Sequence, residues 1–285
     1  MKNTVVLMFS KDRAMQCDAA LQSLKLNCVD LKEADVYVLV ATTSQRHKNA
    51  YGVVVKHHPN VQFVPQNNFE KDISAILCLY KYVLFLVDDN IFTKKFVLCE
   101  GKVELGINKN KVLAFSYRLG KNIDFCYPLN IRQPQPKILP VLEPFVYMHE
   151  WSKAQFDWNY PMDVSSTLYR ISTINHISGI FPSSVENPNE LEYFLDKYKD
   201  VYSGQYPHLA YYGTSIAFCN PMNKVNPKNK NRSGNNNELS IEKLLELFEN
   251  GYRMDVEDYV GFVPRSCHQE VDVVFKKQEH IDYGS

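Results

Sequence analysis

The segment Tyr82-Val83-Leu84-Phe85-Leu86-Val87-Asp88-Asp89-Asn90 joins an unbroken apolar run to two adjacent carboxylates. An apolar run without polar alternation is typical of a strand that is buried on both faces of a mainly parallel sheet. Ligands of such sheets bind at the carboxyl ends of the strands, which is where Asp88 and Asp89 would lie. Carboxylate oxygens at this place suit a divalent cation, although Asp-Asp-Asn is also a good turn sequence.

The residues around this segment predict strands and helices in alternation. Apolar runs predict strands at 4–9, 35–41, 61–64 and 112–117, and helical spacing predicts helices at 13–26 and 69–80. Alternation of this kind favours an α/β fold with a Rossmann-like, mainly parallel central sheet flanked by helices. The first strand is not followed by Gly-x-Gly-x-x-Gly, which disfavours ordinary dinucleotide binding.

The second half of the sequence is less regular. Five prolines mark 128–144 as an irregular connection, capping residues predict helices at 189–199 and 240–250, and alternation predicts a strand at 271–275. The segment 223–237 is rich in Asn and Lys, so it is predicted to be a mobile loop.

Composition and charge narrow the function classes. Lys plus Arg and Asp plus Glu both number 32 in 285 residues, so no net field recruits nucleic acid or an anionic membrane. No apolar run approaches the roughly 20 residues of a spanning helix, and we therefore expect no transmembrane segment and a cytoplasmic location. The seven cysteines include no Cys-x-x-Cys pair, which favours reduced thiols.

Three segments, read together, resemble the GT-A fold glycosyltransferases of the bacterial and large-virus polysaccharide type. They are the loop Phe9 to Arg13, the strand end Val87-Asp88-Asp89 and the stretch Phe115-Ser116-Tyr117-Arg118-Leu119-Gly120-Lys121-Asn122. The resemblance covers the full length and implies a single GT-A domain, 1–285. Residues 1–125 would form the nucleotide-sugar-binding half, and 126–285 the acceptor-binding, catalytic half.

The resemblance also implies a donor site and a metal site. Ser10, Lys11, Arg13, Asp88 and Arg118 would bind the nucleotide sugar, while Asp88, Asp89 and His268 would hold Mn²⁺ or Mg²⁺ on its diphosphate. The pattern here is Asp-Asp-Asn rather than Asp-x-Asp, which leaves open which carboxylate touches the metal. For His268, a surface or internally satisfied histidine is the alternative interpretation.

An inverting enzyme of this class also needs a general base to take the acceptor hydroxyl's proton. The segment Asn187-Pro188-Asn189-Glu190-Leu191-Glu192 can start a helix whose dipole favours an ionised carboxylate. By resemblance, Glu192 is the expected base, with Glu190 and Glu186 as alternatives. These acids could instead be surface residues that complement the helix dipole.

Two weaker hypotheses complete the set of site residues. Asp163, with Trp158 nearby, could bind sugar hydroxyls or could be an ordinary turn residue. Lys224, Lys228, Lys230 and Arg232 of the loop 223–237 could close on the diphosphate and exclude water, unless the loop is a solvated insertion.

The predicted function is therefore metal-dependent, inverting transfer from a UDP-sugar, such as UDP-xylose or UDP-galactose, to a hydroxyl of a glycan acceptor. A sugar-phosphate nucleotidyltransferase and a non-catalytic carbohydrate-binding protein are the alternatives. The first would normally carry a Gly-rich loop after the first strand, which Phe9 to Arg13 lacks. The second would explain the aromatic residues at 151–160 but not a pair of carboxylates at a strand end.

Overall fold

A computed structural model of the chain describes residues 2–107, 111–139, 145–178, 185–224, 232 and 236–278. In chain order the strands of these residues are β1 (Thr4–Lys11), β2 (Ala34–Ala41), β3 (Gln62–Pro65), β4 (Tyr82–Val87), β5 (Asn90–Phe92), β6 (Val112–Ser116), β7 (Phe125–Cys126), β8 (Ile131–Arg132), β9 (Ile138–Leu139), β10 (Val146–Glu150), β11 (Thr167–Arg170), β12 (His208–Tyr212), β13 (Ala217–Cys219), β14 (Tyr252–Met254) and β15 (Phe275–Lys277). The α-helices are α1 (Ala14–Asn27), α2 (Gln45–His57), α3 (Phe69–Leu77), α4 (Leu98–Ile107), α5 (Ile171–Ser178), α6 (Pro188–Lys197), α7 (Lys199–Ser203) and α8 (Ile241–Glu249).

Nine of these strands form one central sheet in the order β3-β2-β1-β4-β11-β6-β12-β10-β9. Strands β3, β2, β1 and β4 pair in parallel, whereas β11 is antiparallel to both of its neighbours, β4 and β6. Because β11 runs the other way, its first residue, Thr167, lies beside Ser116 at the carboxyl end of β6. The residues that precede β11 therefore meet the residues that follow β4 and β6 at one edge of the sheet.

Helices cover both faces of the sheet and bury two apolar clusters. Val6 and Met8 of β1 point to a cluster shared with α1, α2 and α8, whereas Val5 and Leu7 point to a cluster shared with α3, α6 and Trp158. This alternation follows from the two-residue period of a strand, and both faces are apolar because both are covered. The predicted α/β class with a mostly parallel central sheet is confirmed.

Local sequence signals account for several helix starts. Side chains of Ser44, Asn68, Asn187 and Ser240 each accept a backbone N–H at the start of α2, α3, α6 and α8. Such caps satisfy donors that the first helical turn leaves without partners. In α6, Pro188 occupies the first turn, where its missing N–H costs nothing.

The structure also departs from the sequence expectations. Helix α2 and the short strand β11 were not predicted, and 271–274 lie outside any strand although 275–277 form β15. Strands from both predicted halves of the chain, 1–125 and 126–285, take part in the central sheet. Most of the predicted mobile loop 223–237, including Lys228 and Lys230, lies outside the described residues. Within the part of the chain that the structure describes, no helix has the length and apolarity that a membrane crossing requires.

Candidate active site

The loop after β1 binds the carboxylate that ends β4. Arg13 donates from Nη1 to Asp88 Oδ1 at 3.0 Å, while Ser10 Oγ and the backbone N–H of Lys11 donate to Oδ2 at 2.9 and 3.2 Å. The three donors and Asp88 meet because β1 and β4 are parallel neighbours that end together. The structure thus brings together four of the five residues predicted to bind the nucleotide sugar.

Other parts of the chain hold this loop in shape. The Tyr51 hydroxyl from α2 hydrogen-bonds Ser10 Oγ, and Asn223 accepts from Arg13 Nε at 2.8 Å. Asp12 adopts a φ of 53°, and its carboxylate accepts the backbone N–H and the hydroxyl of Thr43. Asp tolerates this left-handed conformation better than most residues, which explains its place in a tight exit from a strand. Tyr51 and Asn223 were missed from the sequence because each is far from the loop along the chain.

The electrostatic surroundings of Asp89 disfavour its ionised form. Its side chain is 16% exposed, and Oδ2 is 3.7 Å from Arg13 Nη1. Burial raises the pKa of Asp89 to about 6, the Arg13 charge lowers it and the neighbouring Asp88 charge raises it. The other oxygen, Oδ1, is buried and makes no hydrogen bond. A second positive charge at this place would relieve the cost of ionising Asp89.

His268 reaches the same edge of the sheet through a small antiparallel ladder. Strand β13 pairs with β5, which begins at Asn90, and Cys219 of β13 also forms a bridge with His268. Burial and the Arg118 charge lower the pKa of His268 to about 3, so the imidazole is neutral. Its Nδ1 is buried and makes no hydrogen bond. A neutral imidazole nitrogen is the form that binds metals.

These residues fit a divalent cation only in part. Among the described residues, no group of three or more His, Cys, Asp and Glu side chains is arranged to hold a metal ion. Both oxygens of Asp88 already accept hydrogen bonds from the β1 loop. Asp89 and His268 each retain a buried acceptor atom without a partner, and their oxygen and nitrogen suit Mn²⁺. A cation held by these two side chains would take its other ligands from a diphosphate and water.

Arg118, the fifth predicted nucleotide-sugar residue, lies away from the β1 loop contacts. It follows β6, and its Nη2 forms a buried ion pair with Asp163 Oδ2 at 3.1 Å. Asp163 is 3% exposed and lies in the turn that leads into β11. The antiparallel strand β11 places Asp163 there, a position that nothing in the local sequence pattern predicts.

Glu192 lies in the second turn of α6 with its carboxyl group turned inward. Oε1 accepts the backbone N–H of Val164 at 2.8 Å, and Oε2 lies 3.4 Å from the Tyr160 hydroxyl. Burial and the Asp163 charge raise the pKa of Glu192 to about 7, against the lowering effects of the Val164 N–H, Arg118 and Tyr160. A carboxyl group that titrates near neutrality is suited to proton transfer.

The two alternative acids have structural roles. The backbone N–H of Glu190 donates to the cap residue Asn187, and the Glu190 carboxylate accepts the backbone N–H of Glu186 at 2.9 Å. This reciprocal arrangement resembles a capping box and uses Glu190 to stabilise the start of α6. Glu186 itself is exposed. The inward-facing carboxyl with a pKa raised to about 7 is that of Glu192.

The chain has a sequence relative among characterised enzymes. It is 31% identical over 211 residues to the bifunctional glycosyltransferase pgtA of Dictyostelium discoideum. The match takes in 66% of this chain and 27% of pgtA, so the chain spans about a quarter of that protein's length. No protein-family model matches the chain.

Solved structures show weaker likeness. TarS 1-349 of S. aureus aligns with a TM-score of 0.49 at 16% identity, over 77% of this chain and 60% of that chain. A cytidylyltransferase of Leptospira borgpetersenii aligns with a TM-score of 0.43 at 11% identity, over 82% and 80%. Neither score reaches 0.5, and no functional conclusion rests on them. The pgtA match, in contrast, confirms the resemblance to glycosyltransferases predicted from the sequence, over the 211 residues that the match covers.

Proposed function

We propose that the protein transfers a sugar from a UDP-sugar to a hydroxyl of a glycan acceptor, with inversion at the transferred carbon. The observation that carries this proposal is the inward-facing Glu192 carboxyl, which accepts the Val164 N–H at 2.8 Å and whose pKa burial raises to about 7. The Arg118 charge acts on both Glu192 and His268, so the proposed base and the proposed metal ligand share one charged neighbour. A base and an anion-binding loop at one edge of the sheet are the two parts that such a transfer needs.

The β1 loop supports the donor half of the proposal. Lys11 is exposed, and the Arg13 guanidinium lies between Asp88 and Asp89, so both cations border the carboxylate pair. Opposite charges on the loop and the strand end let the site bind a diphosphate together with a cation. The choice of UDP, and of xylose or galactose as the sugar, rests on the resemblance stated above and is part of the proposal.

Asp89 and His268 would hold Mn²⁺ or Mg²⁺, with Asp88 as a possible third ligand only if Arg13 moves from it. The bound cation would neutralise negative charge that develops on the departing diphosphate. The chain's own contribution is to keep Asp89 Oδ1 and His268 Nδ1 buried and without a hydrogen-bond partner, so that little protein structure must rearrange when the cation binds.

The acceptor half of the proposal depends on Glu192. Its Oε1 is fixed by the Val164 N–H, which leaves Oε2 and the Tyr160 hydroxyl as the polar pair that an acceptor hydroxyl can approach. Glu192 would take the proton as the hydroxyl oxygen attacks the sugar carbon and the diphosphate leaves. Direct attack of this kind, without a covalent enzyme intermediate, inverts the configuration at that carbon.

Product analysis tests the proposed function and separates it from the alternatives. Incubation with Mn²⁺, a panel of UDP-sugars and glycan acceptors should release UDP in equal amount to the sugar transferred. A nucleotidyltransferase would instead release pyrophosphate from UTP and a sugar 1-phosphate. A carbohydrate-binding protein would release neither product, and that result across the whole panel would contradict the proposal.

A further inference from the structure

A buried ion pair of Arg118 with Asp163 lies next to the residues that contact the proposed general base, Glu192. Arg118 and Asp163 are 2% and 3% exposed, and their side chains meet at 3.1 Å. An ion pair at this depth is expensive to desolvate, and removal of one partner leaves an uncompensated charge. Such a pair is weak evidence for stability. Its geometry, however, holds neighbouring groups in place.

The Asp163 carboxylate fixes the turn that leads into β11. Besides Arg118, it accepts the backbone N–H of Ser165 at 2.8 Å and the Thr167 hydroxyl at 3.0 Å. The Tyr169 hydroxyl donates to the backbone carbonyl of Asp163 at 2.6 Å. Ser166 has a φ of 55°, an unusual conformation for serine that persists because the surrounding contacts determine it. The turn from Asp163 to Ser166 is thus held by side chains rather than by a regular ladder.

The same turn supplies the hydrogen bond that orients Glu192. The donor to Glu192 Oε1 is the backbone N–H of Val164, the residue directly after Asp163. A shift of the Asp163 carboxylate moves this N–H, and with it the carboxyl group that would receive the acceptor proton. Displacement of a reacting group by about 1 Å can cost roughly a hundredfold in rate.

Four side chains interact electrostatically with Glu192. Asp163 raises its pKa, whereas the Arg118 charge and the Tyr160 hydroxyl lower it. Tyr169 of β11 is the fourth, since the Glu192 charge acts on its phenol. The negative and positive members of the ion pair therefore act on Glu192 in opposite directions, and removal of either one leaves the other uncompensated.

We propose that Asp163 and Arg118 are positioning residues for the general base: Arg118 fixes Asp163, and Asp163 fixes the Val164 N–H that orients the Glu192 carboxyl. This inference rests on the proposed function for its kinetic consequence. It also assigns Arg118 a place different from the donor-binding one predicted from the sequence. The guanidinium acts through Asp163 rather than on the diphosphate.

Two variants separate positioning from a merely structural role. Asp163→Asn removes the negative charge beside Glu192, so the acidic limb of the kcat profile should move to lower pH and kcat should fall about tenfold or more. Tyr160→Phe removes a hydrogen bond that favours the ionised carboxyl, so its acidic limb should move to higher pH. A folding defect alone would lower the amount of active enzyme in both variants. It would not move the acidic limb to lower pH in one variant and to higher pH in the other.

Arg118→Lys is the matched variant that retains the charge but loses the planar fork. Positioning predicts a lower kcat with the KM for the UDP-sugar and the calorimetric affinity for UDP changed less than about twofold. If UDP affinity instead falls tenfold while kcat is kept, Arg118 binds the donor and the inference is overturned.

A readout that needs no turnover makes failure of this inference distinguishable from failure of the proposed function. The ¹³C signal of the Glu192 carboxyl, assigned by comparison with Glu192→Gln, is titrated in the wild type, Asp163→Asn and Tyr160→Phe. Midpoints that move down in the first variant and up in the second support the inference even if no donor is turned over. Unchanged midpoints in both variants overturn it, whether or not the wild type transfers sugar.

Discussion

Two inward-facing carboxylates, Asp18 on α1 and Glu192 on α6, have pKa values that shift in opposite directions. Burial alone would raise the pKa of Asp18, but hydrogen bonds and charge from His57 and His58 outweigh it and lower the pKa to about 2. Glu192 lacks a comparable cationic partner, and its pKa rises to about 7. The contrast teaches that the supply of partners, and not burial, decides whether a buried acid stabilises the fold or is available for proton transfer.

The surroundings of Asp18 explain its structural role. His58 Nε2 lies 2.9 Å from Oδ1, Gln22 donates to Oδ2 at 2.6 Å, and Arg253 Nε lies 3.6 Å from Oδ2. These partners come from α1, the end of α2 and β14, so one carboxylate ties three elements together on the face opposite to α6. A satisfied, ionised group of this kind has no capacity left for chemistry.

The largest expected effect sharpens the comparison at Glu192. Glu192→Gln keeps the shape but removes the base, so transfer should fall by about 10²–10⁴-fold while UDP binding is retained. Glu190→Gln is the matched control, because a glutamine oxygen can still accept the Glu186 N–H and preserve the cap. Steady-state transfer rates and calorimetric UDP binding check both variants. Loss of transfer in Glu190→Gln, with transfer retained in Glu192→Gln, would show that Glu190 and not Glu192 is the general base.

The second prediction concerns Asp89, another acid whose pKa is raised by burial. Asp89→Ala should lose transfer by about a hundredfold or more and lose the dependence of UDP affinity on Mn²⁺. The variant should keep the wild-type fold, because it removes a carboxyl group whose ionisation is unfavourable at this site. Calorimetry of UDP with and without Mn²⁺ measures the linkage, and a thermal melt checks the fold. Full wild-type activity in excess chelator would end the metal role.

The third prediction tests the structural side of the comparison. The pKa of Asp18 is lower in the folded chain than in the unfolded chain, so its stabilisation is present above about pH 4 and is lost as pH falls towards 2. Asp18→Asn should therefore cost roughly 2–3 kcal/mol of unfolding free energy at pH 7, and the difference from wild type should shrink below pH 4. Urea unfolding at several pH values measures this. A constant difference between pH 7 and pH 2.5 would show that ionisation of Asp18 is not the source.

The last prediction concerns stability again, and its effect has the opposite sign. The pKa of Glu192 is higher in the folded chain than its ordinary value, so the ionised carboxyl opposes folding, increasingly as pH rises towards about 7. Glu192→Gln should be more stable than wild type at pH 8 by up to roughly 3 kcal/mol, and this gain should vanish near pH 4. Melting curves at both pH values decide it. A variant that is less stable than wild type at pH 8 would show that the ionised Glu192 carboxyl, like that of Asp18, stabilises the fold.

Local sequence signals predicted part of the site because those signals are themselves local. An apolar run that ends in Asp88 and Asp89 marks a buried strand end, and Asn187-Pro188 marks a helix start, so both features could be read without a fold. Burial of the helix α1 was also expected, since its apolar residues recur at helical spacing. The α/β class follows from the order of such elements.

The rest depends on contacts between distant segments. The ion pair of Arg118 with Asp163 exists because the four-residue strand β11 inserts antiparallel between β4 and β6, and so short a strand has no distinctive period. The pairing of Asp18 with His58 needs the packing of α2, a helix that was not predicted. Which of Asp88 and Asp89 retains a free oxygen depends on where Arg13 points, and sequence spacing carries no information about that direction.

The most direct test of the central claim is the pH dependence of kcat for sugar transfer by the wild-type protein, measured from pH 5 to 9 at saturating donor, acceptor and Mn²⁺. If Glu192 is the general base, the rate should rise with pH and level off above an apparent pKa near 7, because only the ionised carboxyl accepts the proton. The small residual rate of Glu192→Gln should lack this rise. A flat profile in the wild type, or the same limb in Glu192→Gln, would contradict the account.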